Sequence, residues 1–190
     1  MNRLKRFPHF RQNNVSDCGP TCLRMIARYY GVDYTAEMLR RHCHVSRRGV
    51  NMLGISEGAE HIGLDTVGMK MTFSQLAEEG VFPCILYWNQ SHFVVCYGIE
   101  RDKAGSYKIH ISDPASQRLT YTREEFERCW IGRRAEDKGC GVALMLEPGE
   151  NWGKVEDEYR KNSRSILSFT RYFVPYRCMI GQLLLAMLVG

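Results

Sequence analysis

The sequence predicts an α+β domain in which helices come first and an antiparallel sheet follows. Three observations carry this reading. Residues 16–62 hold three stretches with apolar side chains at helical spacing. From Leu64 the texture changes to short runs of β-branched and aromatic residues. The links between several of those runs are turn-like, which favours hairpins over crossover connections.

The first helix is read over 16–31, SDCGPTCLRMIARYYG. Ser16 or Asp17 can cap its orphan N–H groups, Pro20 suits its first turn, and Gly31 suits the left-handed residue that closes a helix. Leu23, Ile26, Ala27 and Tyr30 fall on one face, so this helix should be central to the core. Two further amphipathic helices are read at 35–43 (TAEMLRRHC) and 51–62 (NMLGISEGAEHI), each followed by a turn or a polar break.

The strand candidates are LDTVGMKM, FPCILYW, HFVVCYGIE, YKIHISD and GVALMLE. Asn89-Gln90-Ser91 and residues 102–105 read as hairpin connections, and 72–79 and 122–130 as short helices between strands. Thr122 with Glu125 three residues later fits a capping box. Trp88, Tyr87 and Trp130 are assigned to aromatic core packing in preference to a substrate groove.

At 190 residues the chain fits one ordinary domain, leaving about forty residues for a linker or tail. A 44% hydrophobic and 25% charged composition is that of a folded soluble protein rather than a disordered one. The eight cysteines show no dense framework of spacings, and Cys84 and Cys96 sit in apolar runs as small buried hydrophobes. The basic N-terminus has no apolar stretch behind its charges, which excludes a secretory signal and, with unpaired cysteines, points to a reducing cytosol. Residues 1–48 carry ten Lys/Arg against three Asp/Glu. No aromatic-basic interleaving accompanies that excess, so it reads as a solvated face and no nucleic-acid partner is expected. His42-Cys43-His44 is not a metal-binding spacing, because three consecutive helical residues point in different directions.

Four residues fit the roles that thiol hydrolysis of a peptide bond requires. Cys18 stands at the start of a helix, where free N–H groups and the helix dipole favour a thiolate, and Gly19 beside it is read as space for a substrate backbone. His92 begins a strand directly after a turn, at the rim of the sheet. Asp113, before Pro114, ends the next strand and can accept from the imidazole. Gln12, six residues before Cys18, can donate to an oxyanion. Each also has a plainer reading: a buried thiol, a surface histidine, an Asp-Pro turn, a loop glutamine. Taken together, the order Gln, Cys, His, Asp with a helix-borne cysteine and strand-borne partners is that of the papain-like arrangement.

The stretch Gln12 to Leu23, QNNVSDCGPTCL, with Met25-Ile26 and Tyr29-Tyr30-Gly31, resembles the N-terminal peptidase domain of bacteriocin-type ABC transporters, the double-glycine leader peptidases. His92-Phe93-Val94-Val95 and Asp113-Pro114-Ala115 are similar to that family's histidine and aspartate motifs, so the resemblance covers about residues 5–147. It implies Gln12 as oxyanion donor, Cys18 as nucleophile, His92 as general base and acid, and Asp113 as the orienting group. Thr21 and Ser116-Gln117 depart from the family pattern; neither is read as touching a catalytic position, and the second is read as a change in the loop beside the site.

The resemblance further implies a papain-like peptidase domain over 1–148, a charged juxtamembrane linker over 149–177, and the opening of a truncated transmembrane helix over 178–190. The last run is uncharged but shorter than the roughly 20 residues a span needs, and the basic residues before it would hold the domain on the cytoplasmic face of the bacterial inner membrane. The implied partners are a precursor peptide with a double-glycine leader and the exporter's transmembrane and nucleotide-binding domains. No cofactor is implied for the peptidase, ATP being used only by the transporter part. The competing readings are a non-catalytic docking module of an exporter and a free-standing papain-like hydrolase.

Overall fold

The computed structural model describes residues 6–47, 49–131 and 139–154. The sequence expectations for 155–177 and 178–190 lie outside those residues. Among the described residues no helix is long and apolar enough to cross a membrane.

A 3₁₀ turn at Val15–Asp17 leads into α1 (Cys18–Tyr29), followed by α2 (Ala36–His42) and α3 (Met52–His61). The chain then alternates between sheet and short helices: β1 (Leu64–Met71), α4 (Phe73–Glu79), β2 (Cys84–Trp88), β3 (His92–Arg101), β4 (Tyr107–Ser112), β5 (Arg118–Tyr121), α5 (Arg123–Trp130) and β6 (Gly141–Pro148). Local signals set the helix ends. Thr35, Asn51, Thr72 and Thr122 each accept a backbone N–H from the first turn of the helix that follows, and Gly31 takes the positive φ that lets the chain leave α1.

The six strands form one antiparallel sheet in the order β1-β6-β2-β3-β4-β5. Successive residues face opposite sides, so each central strand feeds two cores. Ile85, Val95 and Leu144 pack with Leu23, Ile26, Leu39 and Ile55 of the N-terminal helices. Leu86, Val94 and Met145 pack with Phe73, Leu76, Phe126 and Trp130 beneath α4 and α5. Cys84 and Cys96 lie opposite each other on the second face, fully buried, and Trp88 and Trp130 are core residues there. The last described residues fold back on the domain: the Gly149 N–H donates to the Gly63 carbonyl, and Trp152 meets Tyr30 edge-on at 6.1 Å.

Two expectations need correction. A sixth strand, β5, was not read from the sequence; its residues RLTY alternate between exposed and half-buried at the sheet edge, so no apolar run announces it. Gly19 does not make room for substrate. A Cβ there would lie 2.6 Å from both Ile55 Cδ1 and Val50 Cγ1, so the residue must be small for the start of α1 to pack on its own core.

Candidate active site

The packing of α1 against β3 brings the first turn of the helix to the start of the strand. Cys18 is the first residue of α1 and only 6% exposed. The expected capping of α1 by Asp17 is replaced by a tertiary arrangement. One Asp17 oxygen accepts from the backbone N–H and side-chain amide of Asn14, at 3.2 and 3.1 Å. The other accepts from Arg40 Nη1 of α2 at 2.5 Å. Both oxygens of the carboxylate next to Cys18 are thereby engaged, one of them by a guanidinium.

His92 is placed by a tight turn. Asn89 and Gln90 both adopt positive φ, the Asn89 N–H donates to the Cys129 carbonyl at 2.8 Å, and the Tyr87 hydroxyl donates to the Gln90 carbonyl. β3 pairs with β4 with Val95 opposite Ser112, so Asp113 emerges beside the strand that begins with His92. His92 Nε2 lies 2.7 Å from Asp113 Oδ1. Burial disfavours the imidazolium, but hydrogen bonds to the Asp113 carboxylate and the Cys18 thiol outweigh it and raise the His92 pKa to about 9. Burial likewise works against the Asp113 charge, yet the bonds from His92 and from the Ala115 N–H hold its pKa below the ordinary value.

The turn after β4 holds this carboxylate. Ala115 N–H donates to Asp113 Oδ1 at 2.8 Å and Ser116 Oγ to Oδ2 at 3.2 Å. The expectation that neither sequence departure touches the four candidates therefore fails for Ser116, whose hydroxyl bonds directly to Asp113. The N-terminal arm then clamps the same turn: the Gln12 N–H donates to the Pro114 carbonyl at 2.9 Å, Arg118 donates to the Phe7 carbonyl at 3.3 Å, and His9 Nδ1 lies 2.9 Å from Ser112 Oγ. Gln12 Oε1 is buried and makes no hydrogen bond among the described residues.

Cys18, His92 and Asp113 thus stand in one chain of side-chain contacts, and the backbone of Gln12 is tied to the Asp113 turn. Sequence reasoning missed Ser116, Arg40 and the arm residue His9. Arg40 and His9 act through contacts between distant parts of the chain, whereas Ser116 lies only three residues from its partner, within the Asp113 turn. Chemically, the arrangement offers a thiol beside an imidazole whose other nitrogen is committed to a carboxylate, the requirement for a thiolate–imidazolium pair.

Residues 6–135 match the model of the Peptidase C39 family. The chain is 32% identical over 168 residues to the probable microcin-H47 secretion/processing ATP-binding protein MchF of Escherichia coli, an alignment covering 88% of this chain and 22% of that protein. The chain therefore spans about a fifth of the length of this curated relative. A solved double glycine motif protease from an AMS/PCAT transporter, in complex with the leader peptide, superposes with a TM-score of 0.64 at 33% identity, covering 74% of this chain and 91% of that one. The peptidase domain of Streptococcus ComA superposes with a TM-score of 0.63 at 24% identity, over 75% and 99% of the two chains, a likeness of fold.

Proposed function

The chain belongs to the Peptidase C39 family, a family of cysteine peptidases, and on that premise we propose that it removes the leader from a precursor peptide by cutting after a Gly-Gly pair, in step with export of the product by an ABC transporter. The observation that carries this reading is the 2.7 Å pairing of the His92 imidazole with Asp113, with the Cys18 thiol at the head of α1 among the groups that raise the His92 pKa. The double-glycine protease that it resembles at 33% identity supports the substrate class, and the secretion/processing relative supports the coupling to export.

In this reading the Cys18 sulfur attacks the carbonyl carbon of the second glycine, and the C–S bond forms as the carbonyl π electrons move onto oxygen. Gln12 donates its side-chain N–H to that oxyanion, a contribution on the order of 10²–10³ in turnover. The His92 imidazolium gives its proton to the leaving amine, and the C–N bond breaks to leave an acyl-enzyme. Water then attacks the thioester carbonyl while His92 takes its proton, releasing the leader carboxylate and the Cys18 thiolate. Asp113 holds His92 Nε2–H throughout, so the other ring nitrogen faces the sulfur. Two glycines suit a narrow channel over Cys18, because side chains there would be excluded. The leader upstream docks as an amphipathic helix.

The proposed partners are the precursor peptide and the exporter's transmembrane and nucleotide-binding domains, with the peptidase on the cytoplasmic face of the membrane. The hydrolysis itself uses no cofactor. Incubation with a synthetic precursor and mass mapping of the products tests the substrate class: cleavage should fall after Gly-Gly and disappear when the pair is replaced by Val-Val. Binding of the precursor without cleavage by the intact thiol would favour a docking module instead.

A further inference from the structure

We propose that Ser116 is a positioning residue for this cleavage, fixing the rotation of the Asp113 carboxylate and, through it, the ring plane of His92. The proposal rests on the Cys18–His92–Asp113 reading above. Asp113 Oδ1 already accepts two bonds, from His92 Nε2 at 2.7 Å and from the Ala115 N–H at 2.8 Å. Both of those bonds act on Oδ1, so on their own they leave the second oxygen, and rotation about the Cβ–Cγ bond, less restrained. The Ser116 hydroxyl, 3.2 Å from Oδ2, engages the second oxygen and removes that freedom.

The turn does not need this hydroxyl to fold. Its backbone is closed by Asp113 N–H to the Gln117 carbonyl at 3.1 Å and Ser116 N–H to the Asp113 carbonyl at 3.0 Å. From outside, the arm fastens it through Gln12 to Pro114, Arg118 to Phe7, and His9 to Ser112. Ser116 is itself exposed, so removing Oγ leaves no cavity. Backbone and arm therefore set where the turn lies, and the hydroxyl sets how its one acidic side chain is turned.

The consequence reaches Cys18 by charge. A carboxylate that is fixed and hydrogen-bonded stays ionised and favours the imidazolium, which in turn favours the thiolate. Loosening it weakens both steps, so the pH range over which the ion pair exists should narrow from both ends. The other titratable groups around Asp113 are His9 on the arm with Arg118 beside it, Tyr121 on β5, and Cys22 on α1. His9 bonds to the Ser116 backbone, which substitution of the side chain leaves in place.

The test compares the full chain with Ser116→Ala, Ser116→Thr, Asp113→Ala and the Asp113→Ala/Ser116→Ala double variant, using a double-glycine precursor peptide as substrate. For Ser116→Ala, kcat should fall roughly five-fold, the scale of one ordinary hydrogen bond at a solvent-exposed position, with KM and Tm unchanged. The alkaline limb of its pH profile should move below that of the wild type. Ser116→Thr keeps the hydroxyl and should recover most of the loss. A residue that acts only through Asp113 has nothing to act on once the carboxylate is gone, so the double variant should be no slower than Asp113→Ala. Wild-type behaviour of Ser116→Ala, an equal further loss in the Asp113→Ala background, or a loss confined to KM or Tm would each overturn the assignment. Undiminished cleavage by Cys18→Ala would instead sink the reading of the site on which it rests, and this assignment with it.

Discussion

Cys18 and Cys22 are the same residue type on the same helix, one turn apart, and both are buried. Their surroundings differ by one residue of β3. Cys18 meets the His92 imidazole, whereas Cys22 donates to the backbone carbonyl of the next residue, Phe93, at 3.4 Å. Burial drives the Cys22 pKa well up, and the neighbouring charges of Cys18 and Asp113 push it further in the same direction. Cys22 is thus a neutral thiol that pins α1 to the sheet. Low exposure alone does not separate a reactive cysteine from an inert one; what separates them is whether the helix presents the sulfur to a group that can carry the compensating charge.

That comparison can be broken most forcefully at its reactive end. Cys18→Ala should abolish leader cleavage while leaving leader binding largely intact, and His92→Ala should be nearly as damaging, since the base is lost with the nucleophile still present. Both are read from single-turnover cleavage alongside a binding titration. Gln12→Ala removes an oxyanion donor and should lower kcat on the order of 10²–10³ with little change in KM. Losses spread equally over kcat, KM and thermal stability would assign Gln12 to folding instead.

Asp113→Asn should cost less than loss of His92, because the amide oxygen still accepts from Nε2 while the charge is gone. Its effect also has a sign in pH. The raised His92 pKa means that the imidazolium persists up to about pH 9 and is lost as pH rises through that value, which sets the alkaline limit of the ion pair. In Asp113→Asn that fall should begin at lower pH. Cys22→Ala, the inert end of the comparison, should keep most activity and lose about 1 kcal/mol of stability, measured by denaturant unfolding, for the removed sulfur.

Much of the frame around these cysteines was legible in the sequence because it is local. The helical face of Leu23, Ile26 and Ala27, the capping box at Thr122 and the left-handed Gly31 each depend on residues within a turn of one another. Cys18, His92 and Asp113 stood at element ends, whereas Gln12 lies in the arm before the first helix. Part of what escaped the sequence reading is long-range. The Asp17 carboxylate turns to Arg40 on another helix, and Gly19 is small because of Val50 and Ile55, far along the chain. Two misses are local: Ser116 lies only three residues from Asp113 within the β4–β5 turn, and β5 has too little apolar content to be read without its partner β4.

The most direct measurement is the rate of iodoacetamide modification at each cysteine as a function of pH, resolved by mass mapping of the untreated full chain. Cys18 should react well below pH 8 and ahead of the other seven cysteines of the sequence, with Cys22 among the slowest, and His92→Ala should abolish that advantage. Cys18 reacting only above pH 8, no faster than the partly exposed Cys129, would contradict the assignment of a thiolate–imidazolium pair to this site.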